Sequence, residues 1–133
     1  MHEAEFNLGL MAHYGRGTNQ DYVQAMNHYL KASANSIPEA NLNIAFLYHY
    51  GLGTSVDYDK SFQYFTKAAK HNFPQAQYHL GLLYQNGHFV KKDLYEANYW
   101  FEKAAEQNLD EAKLMSAALA LREPKDVDLY IAN

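Results

Sequence analysis

A repeat of 36 residues constrains this chain more than any other feature of its sequence. Three copies follow one another without gaps, at residues 4–39, 40–75 and 76–111, and a partial fourth copy begins at Ala112. We use column for a set of positions related by 36 residues. All seven glycines fall in three columns: Gly9 and Gly81; Gly15, Gly51 and Gly87; Gly17 and Gly53. A period of about 20 to 50 residues is typical of repeat proteins, in which each unit packs against its neighbours.

Each repeat is predicted to form two helices. The first helices are expected at about residues 3–14, 39–50 and 75–86, each ended by a left-handed glycine of the column Gly15, Gly51, Gly87. The second helices are expected to begin after an N-cap aspartate, Asp21, Asp57 or Asp93. Gln24 and Glu96 stand where a capping box needs them, and Lys60 does not fit it.

An apolar stripe with helical spacing on each first helix predicts the core. The stripe residues are Ala4, Leu8 and Met11, then Ala40, Ile44 and Leu47, then Ala76, Leu80 and Leu83. The second helices contribute one large aromatic filler each, Tyr29, Phe65 and Phe101. Gly9, Ala45 and Gly81 are interpreted as positions of close helix contact.

A second, largely apolar stripe on the first helices predicts a binding surface. At 100° per residue it lies roughly opposite the core stripe. Its nine members are Phe6, Leu10, His13, Leu42, Phe46, His49, Tyr78, Leu82 and Gln85. In a solenoid of helical hairpins the first helices line the concave face, so these side chains are expected to form one surface for a partner. The alternative is that they are buried between neighbouring helices, and both interpretations can hold in part.

The motif order resembles the Sel1-like repeat, a relative of the tetratricopeptide repeat. The third copy carries it best, in Ala76, Leu80-Gly81, Leu83-Tyr84, Gly87, Val90, Asp93, Ala97, Trp100 and Lys103-Ala104-Ala105. Phe89 replaces the second loop glycine there. The resemblance implies an all-α, right-handed superhelix, a single solenoid domain over residues 1–133 with a capping helix at 112–133. It also implies an adaptor that binds a protein or peptide.

Several other classes of function are excluded or disfavoured by composition. Without cysteine there is no disulfide framework and no thiolate site. The 11 Lys and Arg residues are scattered among 15 Asp and Glu residues, which argues against nucleic-acid binding. No apolar run approaches the roughly 20 residues that span a bilayer, and the first residues do not resemble a secretory signal. We find no catalytic or cofactor-binding motif, and the seven histidines lack chelating spacing, so no enzyme, cofactor or metal is predicted. His2, His28, His71 and His88 are interpreted as solvated.

The two ends of the chain carry separate expectations. The first repeat is not atypical, which predicts either a segment of a longer array or an end that meets another molecule. A fourth first-type helix is expected at 113–121, ended by Pro124, with Leu129, Tyr130 and Ile131 covering the last repeat. The leading hypothesis is a non-enzymatic interaction scaffold. The alternatives are a binder or hydrolase of small ligands such as cell-wall fragments, and a module that self-associates through its N-terminal repeat face.

Overall fold

Seven α-helices occupy the described part of the chain in the computed structural model. The structure describes residues 2–34, 37–87 and 89–132, and their side chains except those of residues 2, 34 and 122–132. The helices are α1 (His2–Tyr14), α2 (Tyr22–Ala34), α3 (Pro38–Tyr50), α4 (Tyr58–Lys70), α5 (Pro74–Asn86), α6 (Leu94–Glu106) and α7 (Asp110–Ala132). The predicted order of helices is confirmed, and α1, α3 and α5 each begin one residue earlier than predicted and end where predicted.

The turn between the two helices of each repeat is built the same way three times. Gly15, Gly51 and Gly87 have φ values of +69°, +67° and +64°, the left-handed conformation predicted for them. The N-cap role of the aspartates is also confirmed, because their carboxylates accept hydrogen bonds from the backbone N–H three residues on, in Gln24, Lys60 and Glu96, at 3.1, 3.0 and 3.0 Å.

The capping box predicted at Gln24 and Glu96 is replaced by a different contact. In a capping box, the side chain of Gln24 or Glu96 would accept a hydrogen bond from the backbone N–H of the N-cap aspartate. That N–H instead donates to a carbonyl oxygen of the preceding first helix, from Asp21 to Ala12 at 2.8 Å and from Asp93 to Tyr84 at 3.0 Å. Because Asp57 donates to Tyr48 in the same way, Lys60 is tolerated in the second repeat.

The two helices of a repeat pack around one buried aromatic ring. Tyr29, Phe65 and Phe101 are fully buried, as predicted. A methyl group added at Gly9 would lie 2.5 Å from Tyr29 Cε1, and one at Gly81 would lie 2.6 Å from Phe101 Cε1. The glycines therefore allow the close approach of first helix and ring that the sequence predicts.

Two compact units divide the chain, Met1–Ala76 and Gln77–Asn133, and each is described by itself. In the first unit, the core stripe of α3 packs against α2 in one cluster of buried side chains, which includes Met26, Tyr29, Ile44 and Leu47. In the second unit, Leu119 of α7 packs with Ala97 and Phe101 of α6.

The core prediction is wrong for the first repeat. Ala4, Leu8 and Met11 are exposed, Leu8 to 44% and Met11 to 38%, whereas Ile44 and Leu47 in the same columns have no exposed surface. The physical reason is that α2, the second helix of the preceding repeat, covers this stripe in α3. Hydrophobic character alone did not reveal that α1 presents the same stripe to solvent.

Helix α7 is longer than expected. It runs through Pro124 to Ala132, so the prediction that Pro124 ends it is wrong. A proline inside a helix removes one backbone hydrogen bond and crowds the carbonyl four residues earlier, so it disfavours a helix without being an absolute stop. Leu129, Tyr130 and Ile131, expected to cover the last repeat, lie outside the described side chains. Over the described residues, no helix combines the length and apolar character needed to cross a membrane.

Candidate partner-binding surface

The predicted surface residues of α1 lie beside the buried ring of their own repeat. The ring centroids of Phe6 and Tyr29 are 5.9 Å apart, and His13 Nδ1 is hydrogen-bonded to the Tyr29 hydroxyl at 3.0 Å. Leu10 packs against the same buried cluster. Burial lowers the pKa of His13 from its ordinary value of 6.5, so the neutral imidazole is favoured at neutral pH.

The second repeat uses an all-aromatic version of this contact. Phe46 meets Phe65 edge to face at 5.2 Å, and the ring of His49 lies 6.2 Å from the same phenylalanine. Leu42 is half-buried. The third repeat, in the second unit, places Tyr78 5.9 Å from Phe101 and packs Leu82 against the cluster around that ring, while Gln85 is half-buried.

All nine predicted residues are therefore half-buried. These residues lie opposite the core stripe around the helix, as predicted, but their columns are also within 100° of Gly9 and flank the contact with the second helix, which the sequence did not predict. Phe6, Phe46 and Tyr78 pack against the buried ring of their own hairpin, and all nine side chains keep part of their surface exposed. The alternative that these residues are buried between helices is thus confirmed in part, whereas partner binding at them stays a prediction.

Two exposed tyrosines adjoin the open side of this stripe in the first unit. Tyr14 stacks on His13 with centroids 4.4 Å apart, and the Arg16 guanidinium lies 5.1 Å above the same tyrosine ring. Tyr50 stacks on Phe46 at 6.2 Å, with the two ring planes 9° apart. Both tyrosines contact these neighbours and still keep more than half of their surface exposed.

No group of side chains suited to a metal ion forms around the stripe within the described residues. Among the residues whose placement is described, no three His, Asp or Glu side chains come close enough to hold a metal ion. The surface therefore offers aromatic and aliphatic area with hydrogen-bonding groups at its edges, which is the composition of a protein-binding site.

Sequence reasoning missed a separate apolar surface on α1. Their helical spacing and their recurrence in the other repeats predict Ala4, Leu8 and Met11 to be core, and the structure exposes them. The signal that could have identified them is positional: in α3 this stripe packs on α2, and within the described residues no helix stands before α1 to pack on it in the same way.

The geometry defines an all-α protein made of stacked helical hairpins, in the class of repeat solenoids. The Sel1 repeat family model matches residues 2–36, 38–73 and 74–109, which together make up most of the chain. The chain belongs to the Sel1 repeat family. Proteins with Sel1 repeats are in general protein-interaction scaffolds without catalytic function.

Solved structures support this assignment. A protective antigen of uropathogenic Escherichia coli that displays the SLR fold is 34% identical, with a TM-score of 0.89 over 92% of this chain and 26% of that chain. A Sel1 repeat protein from Oxalobacter formigenes is 33% identical, with a TM-score of 0.85 over 90% of this chain and 49% of that chain. The chain thus spans about a quarter and about half of these two proteins. No curated protein matches it in sequence.

A more distant structure agrees in fold alone. Cysteine-rich protein B of Helicobacter pylori is 22% identical, with a TM-score of 0.71 over 86% of this chain and 87% of that chain. The predicted family and the predicted all-α repeat fold are confirmed by these matches.

Proposed function

We propose that this chain is a non-enzymatic scaffold that binds a peptide or helix of a partner protein through the open side of its first helices. The residues that would make this contact are Phe6, Leu10 and His13 in α1, Leu42, Phe46 and His49 in α3, and Tyr78, Leu82 and Gln85 in α5. This role is more specific than the general scaffold function of Sel1 repeat proteins, and the argument for it uses contacts observed in this chain.

The observation that carries the proposal is the pair of exposed, stacked tyrosines beside the stripe in the first unit. Tyr14 contacts both His13 and Arg16, and Tyr50 stacks on Phe46. Folding gains little from placing large aromatic faces in water. Tyrosine is enriched among the residues that dominate binding energy at interfaces, because it buries a large area at a small cost in conformational entropy.

The half-buried stripe supplies the rest of such an interface. Its side chains are packed from below by Tyr29 in the first repeat and Phe65 in the second, so they present a surface that needs little ordering on binding. Preorganised surfaces lose less entropy when they bind and therefore retain more of the contact energy as affinity.

The test replaces the exposed tyrosines rather than the packed phenylalanines. A Tyr14→Ser, Tyr50→Ser double variant is compared with the wild type in affinity purification from native cells, followed by mass spectrometry. We expect the variant to lose specific partner proteins while its melting temperature stays near the wild-type value. A double variant of Tyr95→Ser and Tyr99→Ser is the matched control, because these tyrosines of α6 are equally exposed and lie outside the stripe.

Two results would contradict the proposal. If the control variant loses the same partners, the stripe has no special role. If the wild type and the stripe variant capture identical sets of proteins, binding does not depend on these tyrosines.

A second candidate function is self-association through the N-terminal repeat face, and the exposed Leu8 and Met11 favour it. The same columns in α3 are fully covered by a second helix of this chain, so their chemistry suits a helix from another copy. Light scattering over a concentration series should show the mass rising for the wild type and staying constant for a Leu8→Glu, Met11→Glu variant. A wild type that remains monomeric throughout the series counts against this function.

A further inference from the structure

Tyr14 and Tyr50 are equivalent exposed rings on two successive first helices of the first unit. They share one column and stand at the last position of α1 and of α3. The Tyr14 ring lies 4.4 Å from the ring of His13 and 5.1 Å from the Arg16 guanidinium. The Tyr50 ring lies 6.2 Å from the ring of Phe46, with the two planes 9° apart. The same edge of each helix therefore presents one large, supported aromatic ring to solvent.

The interval between the two rings follows from the repeat. Helices α1 and α3 both pack against α2. Equivalent helices of successive repeats in a solenoid stack at about the 10 Å of ordinary helix packing. Polyproline II, the left-handed helix of proline-rich segments, has three residues per turn and advances roughly 9 Å per turn. Because every third residue of such a segment lies on one side, two of these residues match the interval from Tyr14 to Tyr50.

The polar groups at this edge are hydrogen-bond donors that are still available. In the part of the chain that the structure describes, neither the Tyr14 nor the Tyr50 hydroxyl forms a hydrogen bond. The exposed Arg16 guanidinium carries donors only. A polyproline II segment makes no internal hydrogen bonds, and each proline has a carbonyl oxygen but no N–H. The donors of this edge can therefore bond the segment's carbonyl oxygens, and no N–H of its prolines is left buried without a partner.

Other backbone conformations suit this edge less well. The interior carbonyl oxygens of a partner helix are already bonded within that helix, so they would cover the tyrosine hydroxyls without accepting from them, which costs free energy. A partner strand needs the free edge of a sheet, and the described residues form no strand. Charge adds one more condition. Arg16 places a positive charge at the Tyr14 end of the pair, which favours a carboxylate beside the prolines.

We propose that Tyr14 and Tyr50 bind a proline-rich segment of a partner protein in the polyproline II conformation, with an acidic residue of that segment next to Arg16. One proline packs on each tyrosine ring, and the hydroxyls donate to carbonyl oxygens of the segment. The ordering cost is small because polyproline II is already populated before binding. This inference rests on the proposed function, since it names the class of partner that the open side of the first helices takes.

The probe is an acetylated and amidated peptide of ten prolines, which holds the polyproline II conformation in water. Binding is measured by NMR titration of the isotopically labelled full chain, and we expect saturable shifts centred on Tyr14 and Tyr50. Tyr14→Ser and Tyr50→Ser should each weaken the affinity about tenfold, the effect of removing a tyrosine that dominates an interface. Tyr14→Phe keeps the ring and removes the donor, so it should weaken the affinity about fivefold.

Two further peptides carry one glutamate, at one or the other end of the ten prolines. One of them should bind more tightly than the unmodified peptide, and Arg16→Gln should remove that gain. The matched control is the Tyr95→Ser, Tyr99→Ser variant, whose exposed rings lie on α6 and whose affinity should be unchanged. Melting temperatures should stay near the wild-type value because all the replaced side chains are exposed.

Three results would overturn the inference: the ten-proline peptide does not saturate the wild type, the tyrosine variants bind it as tightly as the wild type, or the control variant loses as much affinity. If neither glutamate peptide gains affinity, the acidic residue is wrong. Affinity purification separates these failures from a failure of the proposed function. Captured proteins that still depend on Tyr14 and Tyr50 would support the scaffold and point to a helical partner, whereas capture independent of both tyrosines would contradict the proposed function itself.

Discussion

Helices α1 and α3 are equivalent in sequence register, and they differ in what surrounds them. Each has 13 residues, the same column pattern and a buried aromatic partner in its own repeat. In α3 the stripe that includes Ile44 and Leu47 packs on α2, whereas in α1 the corresponding Leu8 and Met11 are exposed. The difference teaches that a column in a repeat protein has no fixed role, because its burial depends on the adjacent repeat.

The largest expected effect tests this difference directly with one column. Ile44→Ala should lower the free energy of unfolding by about 2 to 5 kcal/mol, because it leaves a cavity in a fully buried site. Leu8→Ala in α1 should cost less than about 1 kcal/mol, since much of the leucine is already in contact with water. Urea unfolding followed by circular dichroism measures both. Equal losses would mean that the stripe of α1 is covered in solution.

The next effect concerns the second loop glycine of each repeat. Gly17 and Gly53 have φ values of +73° and +72°. A methyl group at Gly53 would lie 2.5 Å from the carbonyl carbon of Tyr22, a backbone atom of the preceding repeat, whereas at Gly17 the nearest heavy atom is Met11 Cε at 3.5 Å. The backbone strain is common to both sites, and the clash is confined to the second repeat.

Replacement of each glycine by alanine separates strain from clash. Gly17→Ala should cost about 1 kcal/mol, the penalty of a side chain in the left-handed conformation. Gly53→Ala should cost about 2 to 4 kcal/mol, because overpacking against backbone adds to that strain. Thermal and urea unfolding of both variants provide the measurement. If both lose the same stability, the contact between Gly53 and Tyr22 is not part of the folded core.

The regular parts of the fold were predictable because local chemistry determines them. A left-handed glycine ends each first helix, and an aspartate cap begins each second helix, so most helix bounds follow from single residues such as Gly51 and Asp57. The exposure of Leu8 was not predictable from its own helix, because its hydrophobic character matches that of the buried Ile44.

The sequence predicts which residues belong to the candidate site better than it predicts what surrounds them. Phe6 and Tyr78 share one column of the stripe and Phe46 belongs to the next, and each lies against a buried ring of its own repeat. Angles around one helix do not reveal which of its faces the second helix covers. The sequence therefore does not show that the predicted binding stripe also packs beside the buried ring. Partner binding at these residues stays a prediction.

Phe89 offers a smaller test in which stability should rise. It occupies the column of Gly17 and Gly53 and keeps their left-handed conformation, with φ of +73°. A phenylalanine in this conformation carries strain that glycine does not, and its side chain is 53% exposed. Phe89→Gly should raise the free energy of unfolding by about 1 kcal/mol, as measured by urea unfolding. A loss of stability would show that the ring contributes more by its contacts than it costs in strain.

One polar column also differs between the first two repeats. Glu5 of α1 is partly exposed and its carboxylate lies 2.8 Å from His28 Nδ1 of α2. His28 is therefore half-buried and bonded to Glu5, not solvated as the sequence suggested. In α3 the same column holds the buried Asn41, whose Oδ1 accepts a hydrogen bond from the Ser33 hydroxyl at 2.6 Å. A charged group thus occurs where the column is open, and a neutral one where the column is covered.

The smallest expected effect is the pH dependence of this pair. The hydrogen bond from His28, supported by the charge of Lys31, holds the pKa of Glu5 below its ordinary value of 4.5. A carboxylate whose pKa is lower in the folded state stabilises the fold above the unfolded pKa, and this contribution is lost as the pH falls through the folded value. The stability difference between wild type and Glu5→Gln should therefore shrink as the pH is lowered from 7 to below 4.5 in urea unfolding. Ser33→Ala is the control, because its bond to Asn41 involves no titrating group and its loss should be equal at both ends of the range. A difference for Glu5→Gln that stays constant with pH would mean that the carboxylate gains nothing from His28 in the folded state.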